Sequence, residues 1–219
     1  MTITLQQIQE RAYATAKAKG WHEHPLREQV HTLGVPVPGF NHGNLHVGPP
    51  YIIHHDRVLA KHALMHTELT EAHECIENDE WEMYAGDDGK IEGLSVEIAD
   101  CIIRICDTTA ALGLFLSNRS DWLTIAKGAR PSVELQAADN EHAMRVTAIL
   151  WLGHTRRYID QATEAARVDS WDEYTERLTQ AVIYAASIVA GFGLNLVAAI
   201  EAKMDYNETR PHRHGGKRA

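Results

Sequence analysis

Residues 93–114, GLSVEIADCIIRICDTTAALGL, decide the fold. Their apolar residues recur at helical rather than alternating spacing, and the stretch predicts a strongly apolar helix from Ile91 to about Phe115. Stepping about 100° per residue from Glu97 puts Leu94, Cys101, Thr108 and Ala111 within about 60° of it. Asp100 falls about 60° to the other side, and Arg104 lies on the same face, one turn beyond Asp100. Two acids and a base are thus predicted on the side of this helix that its apolar residues share.

The preceding segment, LMHTELTEAHECIENDE over residues 64–80, repeats the arrangement. Glu68, Glu71, Glu74, Glu77 and Glu80 come every third residue, so they drift around the helix and cannot share a face. Leu64, Met65, Ala72 and Cys75 flank Glu68, and Glu71 takes the offset from Glu68 that Asp100 takes from Glu97. Glu68 and Glu71 are expected in the apolar stripe; Glu74, Glu77 and Glu80 are expected in solvent. Buried carboxylates on one face repel and are costly to desolvate. Pairing with Lys or Arg at the stripe edge would compensate them, and so would a divalent cation. Two antiparallel helices that each present carboxylates at i and i+3 make a hard oxygen cage. Such a cage suits Mg²⁺ or Mn²⁺ and suits Zn²⁺ poorly.

Outward from these two helices the chain reads as helix almost throughout. Leu5 to Lys19 is an N-terminal helix ended by Gly20. Residues 21–50 are rich in Pro, Gly and His and read as a long loop, of the kind that is usually functional. The first acidic helix runs from about Ile53 to Trp81, and Gly86 to Gly89 form a turn. Ser117 to Pro131 is another connection. Ser132 caps a helix to about Ala166, and Asp169-Ser170 precede one from Trp171 to about Asp205. No run carries hairpin chemistry. The expectation is an all-α bundle of four principal helices plus the N-terminal one, in a single domain over residues 1–206 with a basic tail over 207–219.

Within the last helix, Gln180 to Ile200 carries no charge for 21 residues, long enough to cross a bilayer. Its Ala and Gly content, its Tyr184, Ser187 and Asn195, and its charged flanks favour the centre of a bundle. No membrane span is expected. A helix apolar around its whole circumference has few places to hide in one small bundle, so a homo-oligomer, dimer or tetramer, is expected.

At 219 residues with 44% hydrophobic and 23% charged residues, the chain can bury a core without disulfides. A net charge of −9 argues against nucleic acid as a partner. The charge is uneven. Glu68 to Asp100 holds twelve acids and one base, whereas Asn207 to Ala219 holds four bases and one acid. That asymmetry suits a metal site beside a phosphate-binding arm, or a solvated face and a frayed tail. Three cysteines, Cys75, Cys101 and Cys106, form no C-x-x-C pair and point to free thiols in a reducing compartment. The start, MTITLQQIQERA, lacks signal-peptide features, and a cytoplasmic location is expected.

Three rival motifs carry less. A di-iron bundle wants Glu-x-x-His, but position 74 is Glu and His73 follows Glu71 by two. His54-His55-Asp56 has the composition of an HD-type phosphohydrolase motif, yet it sits at a helix start where a capping role suffices. His62 and His66 stand at i and i+4, but chance placement accounts for them in a chain with 14 His.

Glu68-x-x-Glu71, then 25 intervening residues, then Glu97-x-x-Asp100 resembles the signature of the MazG-like all-α nucleoside triphosphate pyrophosphohydrolases, bacterial or phage type. AKAKGWHEHP (16–25), LMHTELTEAHE (64–74), GLSVEIADCIIRICDTTAALGL (93–114) and KMDYNETRPHRHGGK (203–217) are similar to the family's successive segments and stand in its order. The stretches 26–50 and 117–140 are longer than the family pattern. The resemblance implies Mg²⁺-dependent hydrolysis of a (deoxy)nucleoside triphosphate between the α and β phosphorus, in nucleotide-pool control within a bacterial cell or phage-infected host. It implies Glu68, Glu71, Glu97 and Asp100 as the metal-binding and catalytic carboxylates, with Mn²⁺ able to replace Mg²⁺. Lys203, Asn207, Arg210, His214 and Lys217 would hold phosphate, and Trp21 and Asn195 are candidate base contacts. Asn195 also fits an interhelix hydrogen bond, and Arg104 a pair with Asp100 or Asp107. The base stays open between dGTP, dUTP, dCTP and damaged nucleotides. A non-catalytic nucleotide or metal sensor on the same bundle is the rival from another class.

Overall fold

A computed structural model describes residues 3–29, 51–86, 89–116, 121–129 and 141–212. Among these residues there are seven helices: α1 (Leu5–Ala18), α2 (His55–Glu77), α3 (Leu94–Ala111), α4 (Trp122–Gly128), α5 (Glu141–Arg167), α6 (Trp171–Gly191) and α7 (Leu196–Thr209). The chain is mostly helical, as its periodicity predicts. The expected capping role of Ser132 lies outside the described residues.

Helix α1 begins at a capping box. Thr4 Oγ1 accepts from the Gln7 N–H at 3.1 Å, and the Thr4 N–H donates to Gln7 Oε1 at 2.8 Å. It ends as expected at Gly20, where the Gly20 and Trp21 N–H groups donate back to the Lys17 and Ala16 carbonyls.

Helix α3 is the axis of the fold. It packs against α1, α2, α6 and α7, and fifteen of its residues are buried. Leu94, Ile98, Ile102 and Ile105 are wholly enclosed, each contributing about 1.5–3 kcal/mol of burial. The pairs Arg104–Glu68 and Asp107–Lys61 fix α2 and α3 as antiparallel neighbours. Helices α5 and α6 form a second hairpin, which lies against α2, α3 and α4.

Four expectations need correction. First, the chain does contain strands. β1 (Arg27–Gln29) pairs antiparallel with β2 (Tyr51–Ile53), and β3 (Tyr84–Ala85) with β4 (Ile91–Glu92). The second pair takes Ile91 and Glu92 out of the helix, so α3 starts at Leu94. Gly93 makes the corner at φ +112°, where a Cβ would stand 2.2 Å from the Glu82 carbonyl oxygen. Second, the connection 117–131 contains α4, anchored by the enclosed Trp122, whose indole N–H donates to the Ile3 carbonyl at 3.0 Å.

Third, the expected helix from Trp171 to Asp205 is two helices, α6 and α7, bent by 113°. The break is Phe-Gly-Leu-Asn at 192–195. Gly193 adopts φ +69°, and the Asn195 side chain caps α7 by accepting from the Ala198 N–H at 3.1 Å. The uncharged run 180–200 is therefore divided between them. Among the described residues no single helix is long and apolar enough to cross a membrane, though α6 and α7 together meet that test by length and composition. Fourth, α6 hides its circumference within the chain, because α3, α4 and α5 cover it. An uncovered helix face therefore gives no argument for an oligomer.

A buried polar network ties α2 to α5 and α6. Thr163 Oγ1 donates to the Ile159 carbonyl, so it accepts from His62 Nδ1 at 2.6 Å. His62 Nε2 then accepts from the Tyr174 hydroxyl at 2.9 Å. Burial pushes the His62 pKa down to about 4, with the His66 charge adding to it, so the ring is neutral in this network. His62 is a structural residue, as its chance placement implied, while His66 faces Asp160 at 3.2 Å. Tyr174→Phe leaves the buried Nε2 without a donor and is expected to cost about 1–3 kcal/mol, read from urea denaturation at pH 7. An unchanged midpoint would show that the network contributes nothing to stability.

Candidate metal centre

The site forms where α2 and α3 run side by side. Glu68 from α2 and Glu97 and Asp100 from α3 each bring a carboxylate oxygen within 4.8 Å of the other two. All three are buried. Helical spacing explains the convergence, since Glu97 and Asp100 are one turn apart on α3 and face Glu68 across the α2–α3 seam.

The seam sits differently on α2 from what the sequence predicts. The buried stripe runs through Val58, His62, Met65, Leu69, Ala72 and Ile76. Glu68 therefore lies at its edge, Leu64 is 41% exposed, and Glu71 is half-buried. Glu71 stands outside the group of three, although its charge still acts on Glu68 and Glu97. Glu74 and Glu77 are exposed as expected; Glu80 lies beyond the end of α2 and is half-buried.

Two internal cations answer the acids. Arg104 Nε donates to Glu68 Oε1 at 2.6 Å, and its Nη2 lies 3.9 Å from Asp100 Oδ2. Lys203, from α7, places Nζ 3.1 Å from the same Asp100 oxygen and is 2% exposed. Both positions depart from expectation. Arg104 pairs chiefly with Glu68 rather than with Asp100 or Asp107. Lys203, expected as a phosphate contact, is instead enclosed against Asp100.

Four acids against two bases leave an excess of negative charge, and the carboxylates divide it unequally. Glu97 is pushed up to about 8 by burial, with Asp100, Glu71 and Glu68 opposing the Lys203 charge that pulls it down. Burial and the Asp100 charge push Glu68 up to about 7 against Arg104. Burial raises Asp100 as well, but Arg104 and Lys203 outweigh it and hold that carboxyl below its ordinary value. Glu97 Oε2 is buried without a hydrogen-bond partner. An acceptor left bare inside a protein costs about 1–3 kcal/mol and calls for a ligand. Carboxylate oxygens alone, converging from rigid helices, are the donor set of Mg²⁺ or Mn²⁺.

The remaining sequence candidates are distributed as follows. Asn207 is half-buried on α7, and Arg210, just past its end, acts on Asp100 through its charge. His214 and Lys217 lie outside the described residues. His212, the last residue described, packs against Gly20 and stands 3.4 Å from Glu23, beside the turn after α1. Trp21 sits in that turn and is half-buried. Asn195 is the α7 cap described above rather than an interhelix link. It lines a groove between α4 and α7 to which none of the four carboxylates contributes.

One constellation escapes sequence reasoning. His22 Nε2 and Asp107 Oδ1 are 2.6 Å apart, Lys61 Nζ lies 3.5 Å from Asp107 Oδ2, and the Tyr13 ring leans on His22. Asp107 is two turns beyond Asp100 on the same side of α3, so the polar seam continues about 10 Å along the helix. Arg104 and Asp107 were visible at helical spacing, but His22, 85 residues away in sequence from Asp107, left no local signal. His54-His55-Asp56 does not converge as a metal pair. His55 Nε2 meets Asp169 Oδ1 at 3.0 Å, and Asp56 is exposed. His54 occupies the N-cap position without a side-chain capping bond, so the capping role expected of the motif is not performed either.

Comparison with family models, with curated proteins and with solved structures gave no match to this chain.

Proposed function

We propose that the protein is a MazG-like nucleoside triphosphate pyrophosphohydrolase, which cleaves a (deoxy)nucleoside triphosphate to the monophosphate and pyrophosphate. The observation that supports this reading most is the buried triangle of Glu68, Glu97 and Asp100, with one Glu97 oxygen left without a hydrogen-bond partner. The motif resemblance adds the reaction class. Glu68, Glu97 and Asp100, with Glu71 at the rim, would hold Mg²⁺, or Mn²⁺ in its place. The metal supplies neutralisation of phosphate oxygens and a water more acidic than bulk water.

The chain's own residues do the rest. A carboxylate not saturated by the cation takes the proton of the attacking water. Glu71 is suited to this, because it stands outside the triangle with its negative charge directed at it. Arg104 and Arg210 both act on Asp100 by charge, and guanidinium groups match phosphate oxygens in geometry, so they are the candidate phosphate contacts beside the triangle. The same reading carries a homo-oligomer, dimer or tetramer, which sedimentation at micromolar concentration would measure.

Incubation with dGTP, dCTP, dTTP, dUTP, dATP and their ribonucleotide counterparts in Mg²⁺, followed by ³¹P spectroscopy, tests the proposal. Pyrophosphate and a monophosphate are expected from at least one of them, with none in excess EDTA. Orthophosphate and a diphosphate as products, or no product from any triphosphate, would overturn it. The second result would favour a non-catalytic metal or nucleotide sensor, provided the cation still binds.

A further inference from the structure

The carboxylate triangle is already partly satisfied from within. Arg104 Nε stands 2.6 Å from Glu68 Oε1, and Lys203 Nζ stands 3.1 Å from Asp100 Oδ2. These are the lone pairs that a divalent cation needs, at about 2.0–2.1 Å for Mg²⁺. A guanidinium and a dication on one carboxylate oxygen also repel each other. The two internal cations differ in freedom. The Lys203 side chain is 3% exposed, so its head has nowhere to go, whereas the Arg104 side chain is 34% exposed. Of the two, Arg104 is the one with a partly open side chain, its head still enclosed beside Glu68 and Asp100.

We propose that Arg104 is an internal competitor for the divalent site, which holds Glu68 in the metal-free protein and swings outward as a phosphate contact when the cation binds. The inference rests on the reading of the triangle as a metal site and adds a coupling to it. Metal binding releases a bidentate donor at the mouth of the site, and an anion that captures this donor hinders its return to Glu68. By linkage each ligand strengthens the other. Glu68 stays compensated in both states, by guanidinium in one and by the dication in the other. That avoids leaving a buried carboxylate bare.

The test is Mn²⁺ titration of the metal-free protein, followed by calorimetry. Arg104→Met removes the competitor and is expected to tighten Mn²⁺ binding by at least about tenfold over wild type. Arg210→Gln serves as the control, because Arg210 acts on Asp100 by charge without a contact that would block coordination. Its effect is expected to stay below about threefold. Equal or weaker Mn²⁺ binding by Arg104→Met, or an equal gain in Arg210→Gln, overturns the inference while leaving the metal site standing. Absence of Mn²⁺ binding in wild type overturns the metal site as well.

A second readout needs no folded variant. The ¹⁵N Nε–H resonance of Arg104 in wild type should move on adding Mg²⁺ and move again on adding inorganic phosphate. A resonance unmoved by saturating Mg²⁺ overturns the inference.

Discussion

Glu97→Gln is expected to stabilise the metal-free protein at pH 9 while abolishing both divalent-cation binding and triphosphate hydrolysis. The two effects share one cause. Glu97 is 3% exposed, one of its oxygens has no partner, and burial pushes its pKa up to about 8. Above that pH the folded chain must hold a charge that water would solvate far better. An amide of the same shape removes the charge and with it the cost. The same substitution removes an anionic ligand from a site that has three converging carboxylates, so cation affinity should fall by at least about a hundredfold. Thermal melting in EDTA and cation titration measure the two arms separately. A variant less stable than wild type in EDTA at pH 9 would contradict the electrostatic account, and retained turnover would contradict the functional one. Glu77→Gln, exposed on the far side of α2, should change neither.

The second large effect is the pH dependence of stability without metal. Glu68 and Glu97 have folded pKa values raised to about 7 and about 8, above the ordinary 4.5. Between the two limits the folded chain binds more protons than the unfolded chain, so stability falls as pH rises. The loss begins above about pH 4.5 and is complete only above about pH 8. Between pH 6 and 9 it should amount to about 2–4 kcal/mol.

His62 works in the opposite sense. Its folded pKa is lowered to about 4 from 6.5, so the stability it contributes is full above 6.5 and is lost as pH falls toward 4. Between pH 4.5 and 6.5 the two carboxyls lose more than His62 gains, so these three groups make the metal-free protein most stable at about pH 4.5. Saturating Mg²⁺ binds the deprotonated carboxylates and should flatten the alkaline side by mass action. Urea denaturation at half-unit pH steps, with and without Mg²⁺, reads both limbs. Stability that is constant or rising between pH 6 and 9 in EDTA would remove the strained carboxylates from the account.

The sequence carried the site further than it carried the fold around it. Glu97 and Asp100 could be placed on the inner face of α3 because a helix buried nearly all round leaves little choice of face. Glu71 could not be separated from Glu68 so easily. The stripe on α2 is set by Leu69 and Ile76 packing inward, which turns Leu64 and Glu71 toward its rim. Reading the helix from Glu68 placed the stripe's centre on the glutamate instead of on its neighbours.

The division of α6 from α7 was written in Phe192-Gly193-Leu194-Asn195. An apolar run of 21 residues masked it, because hydropathy carries no information about φ. Arg104 was visible on the correct face, but a carboxylate on another helix as its partner was not, since pairing across helices depends on packing rather than spacing. His22 with Asp107 is the extreme case, two residues joined only by the return of the chain past the end of α1.

Isothermal titration of Mn²⁺ into the metal-free protein at pH 8, wild type beside Glu97→Gln, tests the central claim most directly. The account predicts saturable binding in wild type, with proton release as Glu68 and Glu97 give up their protons to the cation, and no detectable binding in the variant. Wild-type protein that binds no Mn²⁺, or a variant that binds it as tightly, would show that the triangle of Glu68, Glu97 and Asp100 is held by Arg104 and Lys203 alone and is no metal centre.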